Sequence, residues 1–180
     1  FKYKVLKKRL IPIVLIKNGF LVQSKNFQFH QNLGHPIKAV LRLSEWCPDE
    51  LIYLDITRDN NYNTNRDDHK YKNYSDFLSI IKEVAKVTFM PITVGGKIKN
   101  LSDVEKRFKY GADKVCLNSA PYKEPKIMYQ IAKEFGSQAL VISVDVRLID
   151  NEYVIFHENG NLQSKYKLKE WIKIIQDNGA

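Results

Sequence analysis

The chain has 180 residues, of which 44% are hydrophobic and 27% charged, enough for one packed core and typical of a globular domain. It contains no apolar run of membrane-spanning length. The apolar run behind the basic N-terminus leads into Lys17-Asn18-Gly19 rather than a small-residue cleavage site, which argues for a cytoplasmic protein. The net charge of +9 comes from lysines spread along the whole chain, without clustered cations and stacking aromatics, so anionic small molecules are the expected partners rather than nucleic acid.

Leu10-Ile11-Pro12-Ile13-Val14-Leu15-Ile16 predicts a first strand buried on both faces, followed by a turn at Asn18-Gly19. Ile37, Val40, Leu41 and Leu43 give residues 36–46 the spacing of an amphipathic helix, and Pro48-Asp49 breaks it. Leu51-Ile52-Tyr53-Leu54-Asp55-Ile56 is a second strand. A polar stretch with no apolar period, residues 57–73, reads as a long loop. Phe77, Ile80, Ile81, Val84 and Ala85 then mark a helix over 76–87.

Pro91-Ile92-Thr93-Val94 is a third strand ending in Gly95-Gly96. A helix over 101–110 follows, with Ser102 and Glu105 as its expected capping box and Gly111 as its stop. Lys114-Val115-Cys116-Leu117-Asn118 is a fourth strand, 125–135 a helix closed by Gly136, and residues 139–145 a fifth strand. A polar hairpin turns at Asp150-Asn151 and Asn159-Gly160, and a last helix begins at Leu168.

Strand–helix units in this order predict an α/β domain with a parallel sheet, either doubly wound or a barrel. The first strand carries no GxGxxG, so a dinucleotide site has no support and no cofactor is expected. Cys47 and Cys116 lie in no CxxC, and His30, His35, His69 and His157 are scattered. Reduced thiols and no catalytic metal are therefore expected.

The order of landmarks is more specific than the fold. Lys8-Arg9-Leu10-Ile11-Pro12, the segment Asp49-Glu50 through Asp55-Ile56-Thr57, Thr93-Val94-Gly95-Gly96, Gly111-Ala112-Asp113 through Asn118-Ser119-Ala120, and Phe135-Gly136-Ser137 leading to Val144-Asp145-Val146-Arg147 occur in sequence. Together they resemble the cyclase subunit of imidazole glycerol phosphate synthase, over essentially the whole chain. The resemblance implies a (β/α)8 TIM barrel of which residues 1–180 are a single partial domain. On that resemblance five strand–helix units are expected here, with the C-terminal part of the barrel missing.

The resemblance also implies roles for individual residues. Gly95, Gly96, Asn118 and Ser119 match the residues that bind one phosphate of a bis-phosphate ligand, although a tight β-to-α turn explains the glycines as well. Lys97 stands where the family usually has a third glycine. Asp145 matches one of two catalytic aspartates, with a cap or a salt bridge to Arg147 as the bland alternative. The position of the other is Leu15, and Asn18 replaces the family's following aspartate. Leucine cannot transfer a proton, so the ordinary acid–base pair is broken. Asp55 is a possible supporting carboxylate.

Arg9, Glu50 and Lys114 match an ammonia gate at the opposite end of the barrel, over which a glutaminase subunit docks; plain surface salt bridges are the alternative. An intact gate beside a broken acid–base pair resembles a divergent branch of the family that pairs with a glutaminase and a sugar amidotransferase to make acetamidino groups on bacterial surface sugars. The segment Leu15-Ile16-Lys17-Asn18-Gly19-Phe20-Leu21-Val22 is closer to that branch. A histidine-pathway cyclase and a non-catalytic scaffold barrel remain alternatives.

Overall fold

The computed structural model describes residues 7–26, 28–59, 61–63 and 74–180. Residues 1–6, most of the expected 57–73 loop and His69 lie outside the described residues. Among the described residues the strands form two sheets. The larger contains five parallel strands: β1 (Ile13–Lys17), β4 (Leu51–Asp55), β5 (Ile92–Gly95), β6 (Lys114–Leu117) and β7 (Leu140–Ile142).

Two further strands, β2 (Phe20–Lys25) and β3 (Phe29–Gly34), extend this sheet antiparallel to β1, in the order β3-β2-β1-β4-β5-β6-β7. The apolar pattern predicts no strand here. The left-handed conformations of Asn18 (φ 50°) and Gly19 (φ 82°) make the turn after β1 a two-residue hairpin connection rather than the start of a loop. The smaller sheet is an antiparallel meander of β8 (Asp145–Ile149), β9 (Glu152–His157) and β10 (Leu162–Gln163), as the predicted hairpin implies.

The helices are α1 (Pro36–Ser44), α2 (Phe77–Val87), α3 (Leu101–Lys109), the short α4 (Ala120–Lys123), α5 (Lys126–Phe135) and α6 (Leu168–Asp177). Local chemistry sets several of their starts. His35 Nδ1 accepts from Ile37 N ahead of Pro36, and Asp76 accepts from Ser79 N at 2.9 Å. For α3 the cap is Asn100, which accepts from Asp103 N at 3.0 Å. Ser102 lies inside the first turn, so the expected capping box is displaced by two residues.

Strand register shows which face these helices cover. Val14, Ile16, Leu51, Tyr53, Ile92, Val94, Val115, Leu117 and Leu140 share one face of the sheet. All of them belong to the two apolar clusters formed with α1, α2, α3, α5 and α6. The other face carries Ile13, Leu15, Ile52, Leu54, Thr93, Gly95 and Cys116, none of which joins either cluster. The expectation that the first strand is buried on both faces is therefore corrected. Val14 and Ile16 are buried, but Ile13 is exposed, because the helices pack on one side only, and Leu10 is exposed ahead of the strand.

The meander docks through Ile155, which sits in the second cluster beside Trp171 of α6. A stack of His157, Tyr122, Trp171 and Tyr166, with centroids 4.6, 4.3 and 4.9 Å apart, ties it to α4 and α6. The fifth strand is shorter than expected. A 3-10 turn at Ser137–Ala139 precedes β7, and the chain leaves the large sheet after Ile142, so Asp145 opens β8 instead of ending β7. Two thiols are free, Cys47 exposed and Cys116 buried, and burial pushes the Cys116 pKa up to about 11.

Candidate functional site

In a parallel sheet every strand-to-helix connection leaves from the same end, so side chains following β1, β4, β5 and β6 gather at one rim. At its centre is the turn Gly95-Gly96. A side chain on Gly95 would meet Leu54 Cδ2 at 2.6 Å and the Cys116 carbonyl at 2.8 Å. One on Gly96, at φ 102°, would meet the Asp55 carbonyl at 2.3 Å. Packing against neighbouring backbone thus accounts for both glycines. Arg107, buried on α3, donates from Nη2 to the Gly96 carbonyl at 3.1 Å and fastens helix to turn. Burial lowers its pKa, opposed by the charges of Asp103 and Asp55.

Asp55 is buried at the end of β4. Its Oδ1 accepts from Thr57 N at 3.0 Å, and Thr57 Oγ1 accepts from Asn18 N at 2.9 Å, which links the ends of β1 and β4. Lys97 is in the left-handed region (φ 55°) and folds back over this rim. Its ammonium donates to the Asp59 carbonyl, lies 3.8 Å from Asp55 Oδ2 and sits over the Tyr62 ring. Lys97 therefore places its charge beside Asp55. The buried Tyr62 hydroxyl lies near Asp55 without regular hydrogen-bond geometry. Burial first, and the Asp55 charge second, raise its pKa.

Asn118 and Ser119 follow β6. Asn118 Nδ2 donates to the Ser143 carbonyl at 3.1 Å, Ser119 Oγ donates to Asn118 Oδ1 at 3.2 Å, and Ser119 Oγ accepts from Glu158 N at 3.2 Å. Asn118 thus joins the end of β6 to the segment between β7 and β8, and Ser119 joins it to the β9–β10 connection of the meander that carries Asp145. Arg147 donates to the Gly160 carbonyl at 2.8 Å and covers the Phe156 ring; among the described residues no ion pair joins it to Asp145.

Burial raises the Asp145 pKa, while the Asn118 side chain and the Arg147 charge oppose the rise. A carboxyl raised in the folded state contributes stability that is full below its unfolded pKa and lost as pH rises through the folded value. Asp145→Asn is thus expected to match the parent below about pH 4 and to be the more stable protein at neutral pH. Urea unfolding at the two pH values checks this, and equal stability at both would mean that burial does not act on Asp145.

Leu15 lies on the helix-free face near the end of β1, paired with Leu54 and Val22. No carboxylate replaces it on the strand. At the opposite end of the sheet, Glu50 is buried (7% exposed) and both its oxygens are occupied. Oε1 accepts from Arg9 Nη1, and Oε2 from Lys114 Nζ at 2.7 Å. These three residues, far apart in sequence, form one charge cluster where β1, β4 and β6 begin.

Around that end the helix-to-strand connections present Trp46 (71% exposed) and Phe89 (98% exposed), with Leu10 exposed ahead of β1. Sequence reasoning missed Arg107, Tyr62, Trp46 and Phe89. The signals were present: an arginine on the apolar stripe of α3, and large aromatic residues in the short connections that follow α1 and α2.

Residues 9–180 match the family model described as histidine biosynthesis protein. The chain is similar to imidazole glycerol phosphate synthase subunit HisF of Campylobacter concisus, 34% identical over 173 residues, covering 96% of this chain and 64% of that protein. It is also similar to the subunits of the same name from a Hydrogenobaculum species (33% identical; 98% of this chain and 66% of that protein) and from Bacteroides fragilis (34%; 98% and 66%). The chain spans just under two thirds of the length of these curated relatives. Among the described residues no helix is long and apolar enough to cross a membrane.

Proposed function

The chain belongs to the histidine biosynthesis protein family, and from that premise we propose that it is the ammonia-accepting, phosphate-ligand-binding subunit of a glutamine amidotransferase pair. The observation that carries this reading is the cluster of Arg9, Glu50 and Lys114 at the strand N-termini. Three charges of mixed sign that satisfy one another make a plug. A plug has a purpose if something small and neutral must pass, and ammonia meets that description. The one-sided packing of helices supports reading the five parallel strands as part of a (β/α)8 barrel, because a doubly wound sheet carries helices on both faces.

In this reading the glutaminase subunit docks over the N-terminal end, with Trp46 and Phe89 as its aromatic anchors. The opposite rim holds the phosphorylated ligand through Gly95, Gly96, Asn118 and Ser119. Asp145, held toward its protonated form by burial, is the general acid, and Asp55 keeps the rim in place. The relatives' names favour imidazole glycerol phosphate formation as the chemistry. Leu15 favours the second reading, in which the subunit delivers ammonia for acetamidino modification of surface sugars alongside a sugar amidotransferase.

Co-purification of the full-length protein with glutaminases encoded beside it tests the pairing. A stoichiometric complex is expected, weakened by about 30-fold or more in a Trp46→Ala, Phe89→Ala double variant. Glu50→Lys is expected to reduce glutamine-dependent turnover while turnover on free ammonia persists. Failure to form a complex with any of the glutaminases would remove the ammonia-channel reading and leave a surface ion pair.

A further inference from the structure

A concavity opens where β1 and β4 end. It holds about 300 Å³ and is lined by Lys17, Gln28, His30, Ile56, Arg58 and Asn159. Four segments meet there: the last residue of β1, the start of β3, the residues after β4 and the β9–β10 connection. The lining includes two cations and an imidazole, two amides and one apolar side chain, and no carboxylate. Among the described residues no carboxylate forms an ion pair with Lys17 or Arg58.

Lys17 Nζ lies 3.1 Å from His30 Nδ1. An ammonium can only donate, so Nδ1 accepts and the imidazole is neutral, with its proton on Nε2. The groups facing His30 agree with this. Burial, then the Lys17 charge, and more weakly that of Arg58, hold its pKa below the ordinary value against a backbone contact with Gln28. Like charges gathered in a concave, partly desolvated place repel one another, and an anion between them removes that cost.

We infer that this cavity binds an oxyanion, phosphate or carboxylate, carried by a small-molecule ligand. Lys17 and Arg58 supply the charge, the guanidinium fork matches either oxyanion, and His30 with the Gln28 and Asn159 amides directs it. The volume suits a head group and a few further atoms, at the lower end of small-molecule pockets. The site would orient one end of a ligand whose other end reaches the Gly95-Gly96 turn, and in this it rests on reading this rim as the ligand face. Occupancy favours the charged imidazole, so binding raises the His30 pKa and tightens as pH falls.

The test follows the ring signals of His30 by NMR in the full-length protein, assigned through His30→Gln. Sodium phosphate and sodium malonate are titrated separately, against sodium chloride at equal ionic strength. A saturable shift with a raised His30 pKa is expected, weakened by about tenfold or more in Arg58→Ala and in Lys17→Met and unchanged in the exposed Lys109→Ala on α3. A tighter response to phosphate assigns a phosphate ester, and a tighter response to malonate a carboxylate. A response no larger than that to chloride, or one untouched by Arg58→Ala, overturns the inference. If His30 is silent while the Asn118 amide still responds to phosphate, this site falls and the functional reading stands. If His30 responds and Asn118 does not, the phosphate assignment to the glycine turn falls and this site stands.

Discussion

Leu15→Asp in the full-length chain is expected to raise imidazole glycerol phosphate formation from free ammonia by about 10²-fold or more, the usual contribution of one positioned acid–base group. The parent is expected to run roughly 10²–10⁴-fold below a relative that keeps a carboxylate at this position. Register places Leu15 beside Leu54 on the helix-free face toward the C-terminal end of β1. A carboxylate there would stand on the helix-free face without displacing any residue of the apolar clusters. Asp145 alone cannot serve as both acid and base in one step, and burial biases it toward the protonated form. The measurement is steady-state turnover of parent and variant with the authentic bis-phosphate substrate. A parent rate equal to that of the HisF relatives would show that Leu15 is no obstacle and would restore the histidine-pathway reading. No gain in a folded variant would mean that this chain departs from the cyclase reaction in more than this group.

Gly96→Ala is expected to cost about 3 kcal/mol or more, lowering the melting temperature of the full-length protein by roughly 6–12 °C. The added methyl would lie 2.3 Å from the Asp55 carbonyl oxygen and 2.9 Å from the Asp55 nitrogen, with φ at +102°. Both opposing atoms are backbone of the last residue of β4, which pairs with Ile16 of β1, so neither can move without disturbing β1–β4 pairing. Gly34 is the internal control. It also has a positive φ, 116°, but nothing lies within 4 Å of the point its added methyl would occupy, so Gly34→Ala carries only conformational strain, about 1–2 kcal/mol. Thermal unfolding of the two variants side by side separates the causes, and equal losses would refute the packing account of Gly96. The result also bears on ligand binding: sterics alone demand these glycines, so they are weak evidence for a phosphate, and binding measurements carry that question.

Apolar periodicity and turn chemistry were enough to locate the five parallel strands and the helices between them, because each strand had to be apolar on its covered face and each helix on one stripe. Charge at the strand starts was legible for the same reason. Arg9, Glu50 and Lys114 each precede an apolar run, and parallel strands put such positions at one end. What local pattern could not convey was everything settled between segments distant in sequence. Phe20–Lys25 and Phe29–Gly34 are half-polar strands that gain order only by pairing with β1 and with each other. The chain leaves the large sheet after Ile142, which moves Asp145 onto the meander, because Ile155 and the Tyr122–Trp171 stack hold that meander down. Lys97 reads as a lysine in a turn, and only its approach to Asp55 and Asp59 gives its charge a place. The basic cavity is the extreme case. Lys17, His30, Arg58 and Asn159 carry no common motif, and they meet because a hairpin, a strand end and a turn converge on one rim. Burial and backbone hydrogen bonding act along the chain and leave a period behind, whereas charge and ligand geometry act across space and leave none.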